Sequence, residues 1–474
     1  MRKAVVTVAL LLSLAFGVAA QEAPRHAAED TEVAAARAAV EKAEAALLER
    51  QAVGEGSGRT RRLRLLQVAR DLEGLIEALA TKGLPRDAEA TRLRDVYRDL
   101  AASVERDLRG GADIGVQGGW FGRTEGRARP ASPAAADALD WLARHQSANG
   151  SFDCDGFPSL CRGSTCGGPG APLYDVGCTG LALAAFVRAG ETHKTPLHGA
   201  VVRNAIKYLK SVQDAEGCFG ERAYGHFTYN HAVATLGVAE ALRSTRSPLF
   251  EGSVRSGVSF ILECRNPYLA WRYGVKPGDD DTSVTGWMVA ALVAAREGGV
   301  PADPEAFKGA LAWLDRVTEP QYGRVGYTAQ GNGPARPMPF LDEFPPDKSE
   351  SLTAEGCHVR LVAGQPKDHA FVVKGLALMD RVLPLWDAKQ GTIDLYYWYF
   401  GTLVKREAAG DAEWARWRGA AERALLPNQR PIKDGCSRGS WEPLDPWRAD
   451  GGRVYTTAVA ALTLLACDGR ETAK

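Results

Sequence analysis

Trp141-Leu142 leads into Gln146-Ser147-Ala148-Asn149-Gly150-Ser151-Phe152, and Tyr208-Leu209 leads into Gln213-Asp214-Ala215-Glu216-Gly217-Cys218-Phe219. Both turns read Q-x-x-x-G-x-F. In each case an amphipathic helix runs into the turn and a helix rich in Ala, Gly and Thr follows. Recurrence at this period implies one supersecondary unit stacked on copies of itself. Working outward, outer-helix patterns fall at 134–146, 200–213, 252–264, 305–317, 368–382 and 411–427. Inner-helix patterns start near Asp175, Tyr229, Asp281, Ser351, Asp394 and Tyr455. Inner segments such as Thr179-Gly180-Leu181-Ala182-Leu183-Ala184-Ala185-Phe186 have almost no polar face, so they must be buried. No segment of strand period lies between them. Six helix pairs with buried inner members predict an all-α, closed (α/α)6 toroid over residues 131–470, not an open solenoid.

The remainder of the 474-residue chain precedes that array. Met1-Arg2-Lys3, an apolar run from Ala4 to Phe16 and Gly17-Val18-Ala19-Ala20 read as a signal peptide over 1–20. Export, periplasmic or extracellular, is therefore expected, and no other segment reaches the length of a membrane span. Residues 31–109 are Ala/Leu/Glu/Arg-rich, with Val33, Ala36, Val40, Ala43 and Leu47 on one stripe. They predict a helical hairpin or short coiled coil, either a self-associating or partner-binding arm or a cap on the main domain. Residues 110–130, rich in Gly and Arg, read as a linker. Lys+Arg and Asp+Glu both number 58, and this zero balance argues against nucleic acid as a partner.

Nine Cys suit an oxidising compartment. Cys154, Cys161 and Cys166 lie in one Gly/Pro-rich loop as C-x6-C-x4-C, without the C-x-x-C knuckle of common zinc sites. Local disulfides are expected there, with no metal and no cofactor. Cys467, on an apolar helix, reads as a buried free thiol.

The Q-x-x-x-G-x-aromatic turns and Ala-rich inner helices resemble the prenyltransferase/squalene-cyclase repeat family, whose fold is the (α/α)6 toroid. Gly439-Ser440-Trp441 keeps the end of the turn, while the turns after Ile261 and Leu314 do not. Asp279-Asp280-Asp281-Thr282-Ser283 resembles the D-x-D-D-T-A acid motif of class II terpenoid cyclases, with Gly278 in place of the first Asp. The resemblance implies Asp280 as a proton donor, with Asp279 as a further candidate; clustered, buried carboxylates keep a proton available. Against this, Asp175, Asp281 and Asp394 share one phase before inner helices, as N-caps would. The zinc ligands of protein prenyltransferases are not matched, because Asp175-Val176-Gly177-Cys178 is D-x-x-C and not D-x-C. The reactive Cys-Gly-Glu-Gln of thioester toroids is absent at Cys218-Phe219-Gly220-Glu221-Arg222.

Aromatic and imidazole side chains gather at the inner-helix entrances. His226, Tyr229 and His231 fall in the second repeat, Trp287 in the third, Tyr396, Tyr397 and Trp398 in the fifth, and Tyr455 in the sixth. If the inner N-termini share one mouth, these residues line one ligand site for a small molecule, a glycan or a protein. The favoured expectation is a binding toroid without a complete known active site. A cyclase-like enzyme acting through Asp280 is the alternative, and a polysaccharide lyase using His226, Tyr229 or His231 is the third.

Overall fold

The computed structural model describes residues 132–468 apart from positions 224, 334, 338 and 339. The expected signal peptide, N-terminal helical region and linker lie outside the described residues.

Among the described residues, twelve α-helices alternate between an outer and an inner set. The outer ones are α1 (Pro133–Arg144), α3 (Gly199–Ser211), α5 (Pro248–Cys264), α7 (Pro304–Val317), α9 (Ala370–Met379) and α11 (Asp411–Leu425). The inner ones are α2 (Asp175–Arg188), α4 (Phe227–Thr245), α6 (Thr282–Glu297), α8 (Ser351–Val362), α10 (Leu395–Ala408) and α12 (Gly452–Asp468). Each inner helix packs on the next, and α12 packs back on α2. That contact closes the ring and makes the described chain the expected (α/α)6 toroid.

Sequence dictates which helix goes where. In α1 the buried residues are Ala135, Ala138, Leu139, Trp141 and Leu142, a single stripe at helical spacing. In α6 every residue from Thr282 to Ala295 is buried, so no face remains for water. Pro at the first helical position starts α1, α5 and α7 without sacrificing an intrahelical hydrogen bond.

The repeated turn explains itself atom by atom. Gln146 Nε2 donates to the Gly150 carbonyl (3.0 Å) and onward to the Val201 carbonyl of α3 (2.9 Å). Gln213 Nε2 does the same to Gly217 (3.0 Å) and Ser253 of α5 (3.0 Å). Gln429 Nε2 clamps Gly439 (2.9 Å) and reaches Ala134 of α1 (2.7 Å), so the sixth repeat grips the first. Gly150 and Gly217 hold φ of 96° and 97°, and a Cβ on either would collide with the carbonyl of Asn204 or Ser256 on the next outer helix. The aromatic that ends each turn is buried, and its N–H donates to the inner helix: Phe152 to Thr179 Oγ1 (2.9 Å), Phe219 to His231 Nδ1 (3.1 Å).

The two turns whose sequences depart from the pattern adopt the same junction. Trp271 N–H donates to Thr285 Oγ1 and Val325 N–H to Thr353 Oγ1, both at 3.3 Å. Of the three expected caps, Asp281 accepts from Val284 N–H (2.7 Å) and Asp394 from Tyr397 N–H (3.0 Å). Asp175 is a correction. It is the first residue of α2, and its carboxylate accepts instead from Cys154 N–H (2.8 Å), tying the preceding loop to the helix.

Candidate functional site

The inner helices enter the ring with their N-termini at one mouth, and there a cavity of about 300 Å³ opens. Gly177, Cys178 and Leu181 of α2 line one side, and Tyr229, Asn230 and Val233 of α4 stand beside them. Ser283 and Trp287 of α6, Tyr396 of α10 and Tyr455 of α12 complete the helical wall. Connecting loops add Tyr174, His226, Tyr273, Tyr327, Arg336, Trp447 and Asp450 to the rim. The axis below is filled. Trp287 stacks on Tyr399 across the ring (6.1 Å between centroids), and Arg188 spans from α2 to the Tyr399 hydroxyl on α10 (2.6 Å). Glu240, fully buried, accepts from Arg188 (2.9 Å) and Arg243 (2.6 Å). Burial alone would push Glu240 up, but the two guanidiniums outweigh it and hold its carboxyl below the usual range.

The polar groups of the mouth form short chains. Tyr174 and His226 Nδ1 share a hydrogen bond of 2.9 Å. Asp450 lies near both, and burial pushes its carboxyl up against their opposing pull. The Tyr229 hydroxyl bonds Ser283, whose Oγ donates to Asp281 Oδ1 (3.3 Å); Tyr273 and Tyr327 share a hydroxyl–hydroxyl bond, and the Tyr327 hydroxyl lies 3.5 Å from Asp281 Oδ2. Asp281 is fully buried, and desolvation pushes its carboxyl up to about 7 in spite of the Val284 N–H and the Arg272 charge. Behind Tyr396, Glu355 of α8 is buried with neither oxygen hydrogen-bonded, and burial drives it well above the carboxylate range. Opposite, Arg336 Nη2 donates to Asp394 (2.6 Å), and Asp445 beside them is pushed up to about 8, first by burial and then by the Asp394 charge.

Five residues predicted from sequence do wall the cavity: His226, Tyr229, Trp287, Tyr396 and Tyr455. Three do not. His231 donates from Nε2 to the Gly257 carbonyl (3.1 Å) while Nδ1 accepts from Phe219 N–H, and burial lowers it to about 3. Both ring nitrogens are committed to the repeat turn, so His231 is no acid or base. Tyr397 donates to the Val382 carbonyl (2.7 Å) and meets Trp417 of α11, and Trp398 packs on Trp386. Both belong to the outward core.

The acidic motif is also redistributed. Asp279 is exposed and pairs with Arg272. Asp280 is buried away from the cavity wall, its Oδ1 accepting from Asn266 Nδ2 and Ala270 N–H, both at 3.0 Å. It braces the loop before α6. Of the three motif carboxyls, the one that contacts cavity-lining side chains, Ser283 and Tyr327, is the cap, Asp281.

The residues that sequence reading missed divide in two. Tyr273 and Tyr327 each lie two positions beyond the turn-ending residue, Trp271 or Val325, so phase alignment would have found them. Arg336, Trp447 and Asp450 sit in long connections with no repeat to reveal them.

No family model and no curated protein matches this chain. Among solved structures it is similar to the type II terpene cyclase MstE from Scytonema in complex with geranylgeranyl dihydroxybenzoate, at 15% identity and a TM-score of 0.47, covering 71% of this chain and 97% of that one. A similar match is the α-1,6-mannanase GH76A of Salegentibacter sp. HEL1_6 with α-1,6-mannotetrose, at 10% identity and TM-score 0.47, covering 70% and 97%. An α-amylase from Clostridium perfringens matches at 12% identity and TM-score 0.46, covering 71% and 98%.

Proposed function

We propose that the mouth cavity binds one small, largely apolar ligand. The observation that carries this reading is the wall itself: tyrosines and tryptophans from several inner helices surround a blind cavity of about 300 Å³. Aromatic faces supply most of the contact area, and a few hydroxyls, Arg336 and Asp450 orient the polar end of the ligand. Tryptophan fluorescence should report binding through Trp287 and Trp447. Titration with farnesol, an apolar alcohol, is expected to saturate and quench. Leu181→Trp, which fills the cavity from α2, should weaken binding at least about tenfold with an unchanged circular dichroism spectrum. Equal binding by the filled variant would sink the proposal.

A second reading is favoured by one observation, the buried Asp281 carboxyl pushed up to about 7 beside Tyr327. A carboxyl that keeps its proton near neutral pH next to an aromatic cavity can serve as a general acid toward an alkene or epoxide. Asp281→Asn keeps the capping oxygen and removes the proton. Incubated with an isoprenoid epoxide, the protein should form a cyclised product that Asp281→Asn abolishes and Asp280→Asn does not. Loss in both variants, or in neither, refutes the assignment of the acid to Asp281.

We also propose, from the sequence, that the chain is exported and cut after Ala20. The secreted fraction should then begin at Gln21 by N-terminal sequencing.

A further inference from the structure

Four ligating side chains that are scattered in sequence meet at the seam of the ring. His145 ends α1, Cys161 and Cys166 come from the loop between α1 and α2, and Cys436 comes from the segment between α11 and α12. One donor atom of each lies within 4.8 Å of all the others. His145 Nε2 is 3.6 Å from Cys161 Sγ, 3.6 Å from Cys166 Sγ and 3.3 Å from Cys436 Sγ. Tetrahedral zinc with Zn–S of about 2.3 Å and Zn–N of about 2.05 Å places nitrogen and sulfur about 3.6 Å apart. The observed spacings are those of a ligand shell.

The surroundings match as well. His145 Nδ1 is hydrogen-bonded to the Trp141 carbonyl (2.9 Å), and since a carbonyl only accepts, Nδ1 carries the proton. The Nε2 lone pair is thereby aimed at the three sulfurs; a backbone carbonyl on the other ring nitrogen commonly orients a metal-bound histidine in this way. Cys166 N–H donates to Cys161 Sγ (3.2 Å) and Arg162 N–H to Cys436 Sγ (3.4 Å), contacts that suit thiolates better than thiols. Trp141 stacks on the imidazole (4.4 Å) and Phe157 meets its edge (5.9 Å), shielding the group. His145 and Cys166 are buried and Cys161 and Cys436 half-buried, and four protein ligands to a tetrahedral ion leave no open position for substrate.

We propose that His145, Cys161, Cys166 and Cys436 bind one structural zinc ion that staples the first repeat to the sixth. Three soft thiolates and one imidazole select zinc over the oxygen-seeking cations. The staple uses insertions that the repeat itself does not need. In the sixth turn nine residues, 430–438, separate Gln429 from Gly439 where the first two turns have three, yet Arg430 N–H still reaches the Ser440 carbonyl (2.8 Å) and pinches the turn shut. The inserted loop projects Cys436 toward the other three ligands, with Cys436 N–H held by Ser164 Oγ (3.0 Å). Local disulfides, expected from spacing alone, are not what this arrangement contains: all nine cysteines are unpaired.

The test uses the full chain, purified without chelator. Elemental analysis should find one equivalent of zinc, and cobalt exchanged into the site should give the visible d–d bands of a tetrahedral thiolate centre. Cys436→Ser should lose the metal, whereas Cys154→Ser, a buried cysteine outside the cluster, should keep it. Should Cys436→Ser not fold, titration of the denatured wild-type chain decides: nine reactive thiols after zinc release support the site. Metal-free protein with two fewer thiols and a Cys161–Cys166 cross-link by peptide mapping would overturn it, as would cobalt uptake that leaves no thiolate bands.

Discussion

Two buried titratable residues act in opposite directions on the pH dependence of stability. Asp281 is pushed up to about 7 in the folded chain, against about 3.9 unfolded. Between those values the native state holds the proton and the unfolded chain does not, so stability falls as pH rises toward 7 and then levels. The full swing is on the order of 4 kcal/mol. His231 is lowered to about 3 from 6.5, so the unfolded chain takes the proton first and stability falls as pH drops below 6.5. At pH 5 that loss is about 2 kcal/mol. Urea unfolding across pH 4.5–8 should therefore show the Asp281→Asn penalty shrinking as pH rises. The His231→Gln penalty should shrink as pH falls, and parallel curves for variant and wild type would contradict both assignments. His231 also illustrates what phase alone reveals. It occupies the place of Thr179, Thr285 and Thr353, four residues into the repeat, and its apparent suitability for catalysis dissolves once that equivalence is seen.

At the scale of the element, the glutamine–glycine turn sets the angle between one helix pair and the next. Gly217→Ala forces a Cβ into the Ser256 carbonyl at φ 97°. We expect a loss of at least about 2 kcal/mol, read as a lower denaturation midpoint. Gln213→Ala removes the two bonds donated to the Gly217 and Ser253 carbonyls and the acceptor of the Ser253 hydroxyl, for about 1–3 kcal/mol. Because these carbonyls belong to neighbouring repeats, a cycle combining Gln213→Ala with Gly217→Ala should be non-additive. Additive penalties would mean that the turn is not a single unit. The degenerate turns at Trp271 and Val325 lack this clamp sequence but retain the N–H to threonine junction. The physical requirement is thus a satisfied N–H at the seam, and glutamine is one of several ways to position it.

Across the whole molecule, ring closure and axial filling decide the site. Ser132 N–H meets the Asp468 carboxylate (3.1 Å), Gln429 grips α1, and the cysteine–histidine cluster joins the same two repeats. Below the cavity, the buried Glu240 and the partly buried Arg188 and Arg243 bridge inner helices. Glu240→Gln removes the buried carboxylate that both guanidiniums share, while Arg243 keeps Glu297 (3.7 Å) and Arg188 keeps the Tyr399 hydroxyl; it is expected to cost about 2–3 kcal/mol, measured by thermal and urea unfolding. A neutral outcome would show that water reaches the floor. Since the floor closes the cavity from beneath, the same variant should also weaken farnesol binding.

What the sequence determined by itself was periodic. Helix count, the alternation of outer and inner helices, the caps at Asp281 and Asp394 and the aromatic entrances at Tyr229, Trp287, Tyr396 and Tyr455 all follow from local propensity and from the 3.6-residue period. Those properties are carried by neighbours in the chain. The tertiary structure alone decided which way each side chain faces and which distant residues meet. Tyr396 and Tyr397 are adjacent in sequence, yet one walls the cavity and the other packs outward, because successive residues on a helix diverge by about 100°. Asp280 and Asp281 divide in the same way between a loop brace and a cavity-side cap. The cysteine–histidine cluster was invisible to spacing for the plainest reason: Cys436 is brought to His145, Cys161 and Cys166 only by the closure of the ring.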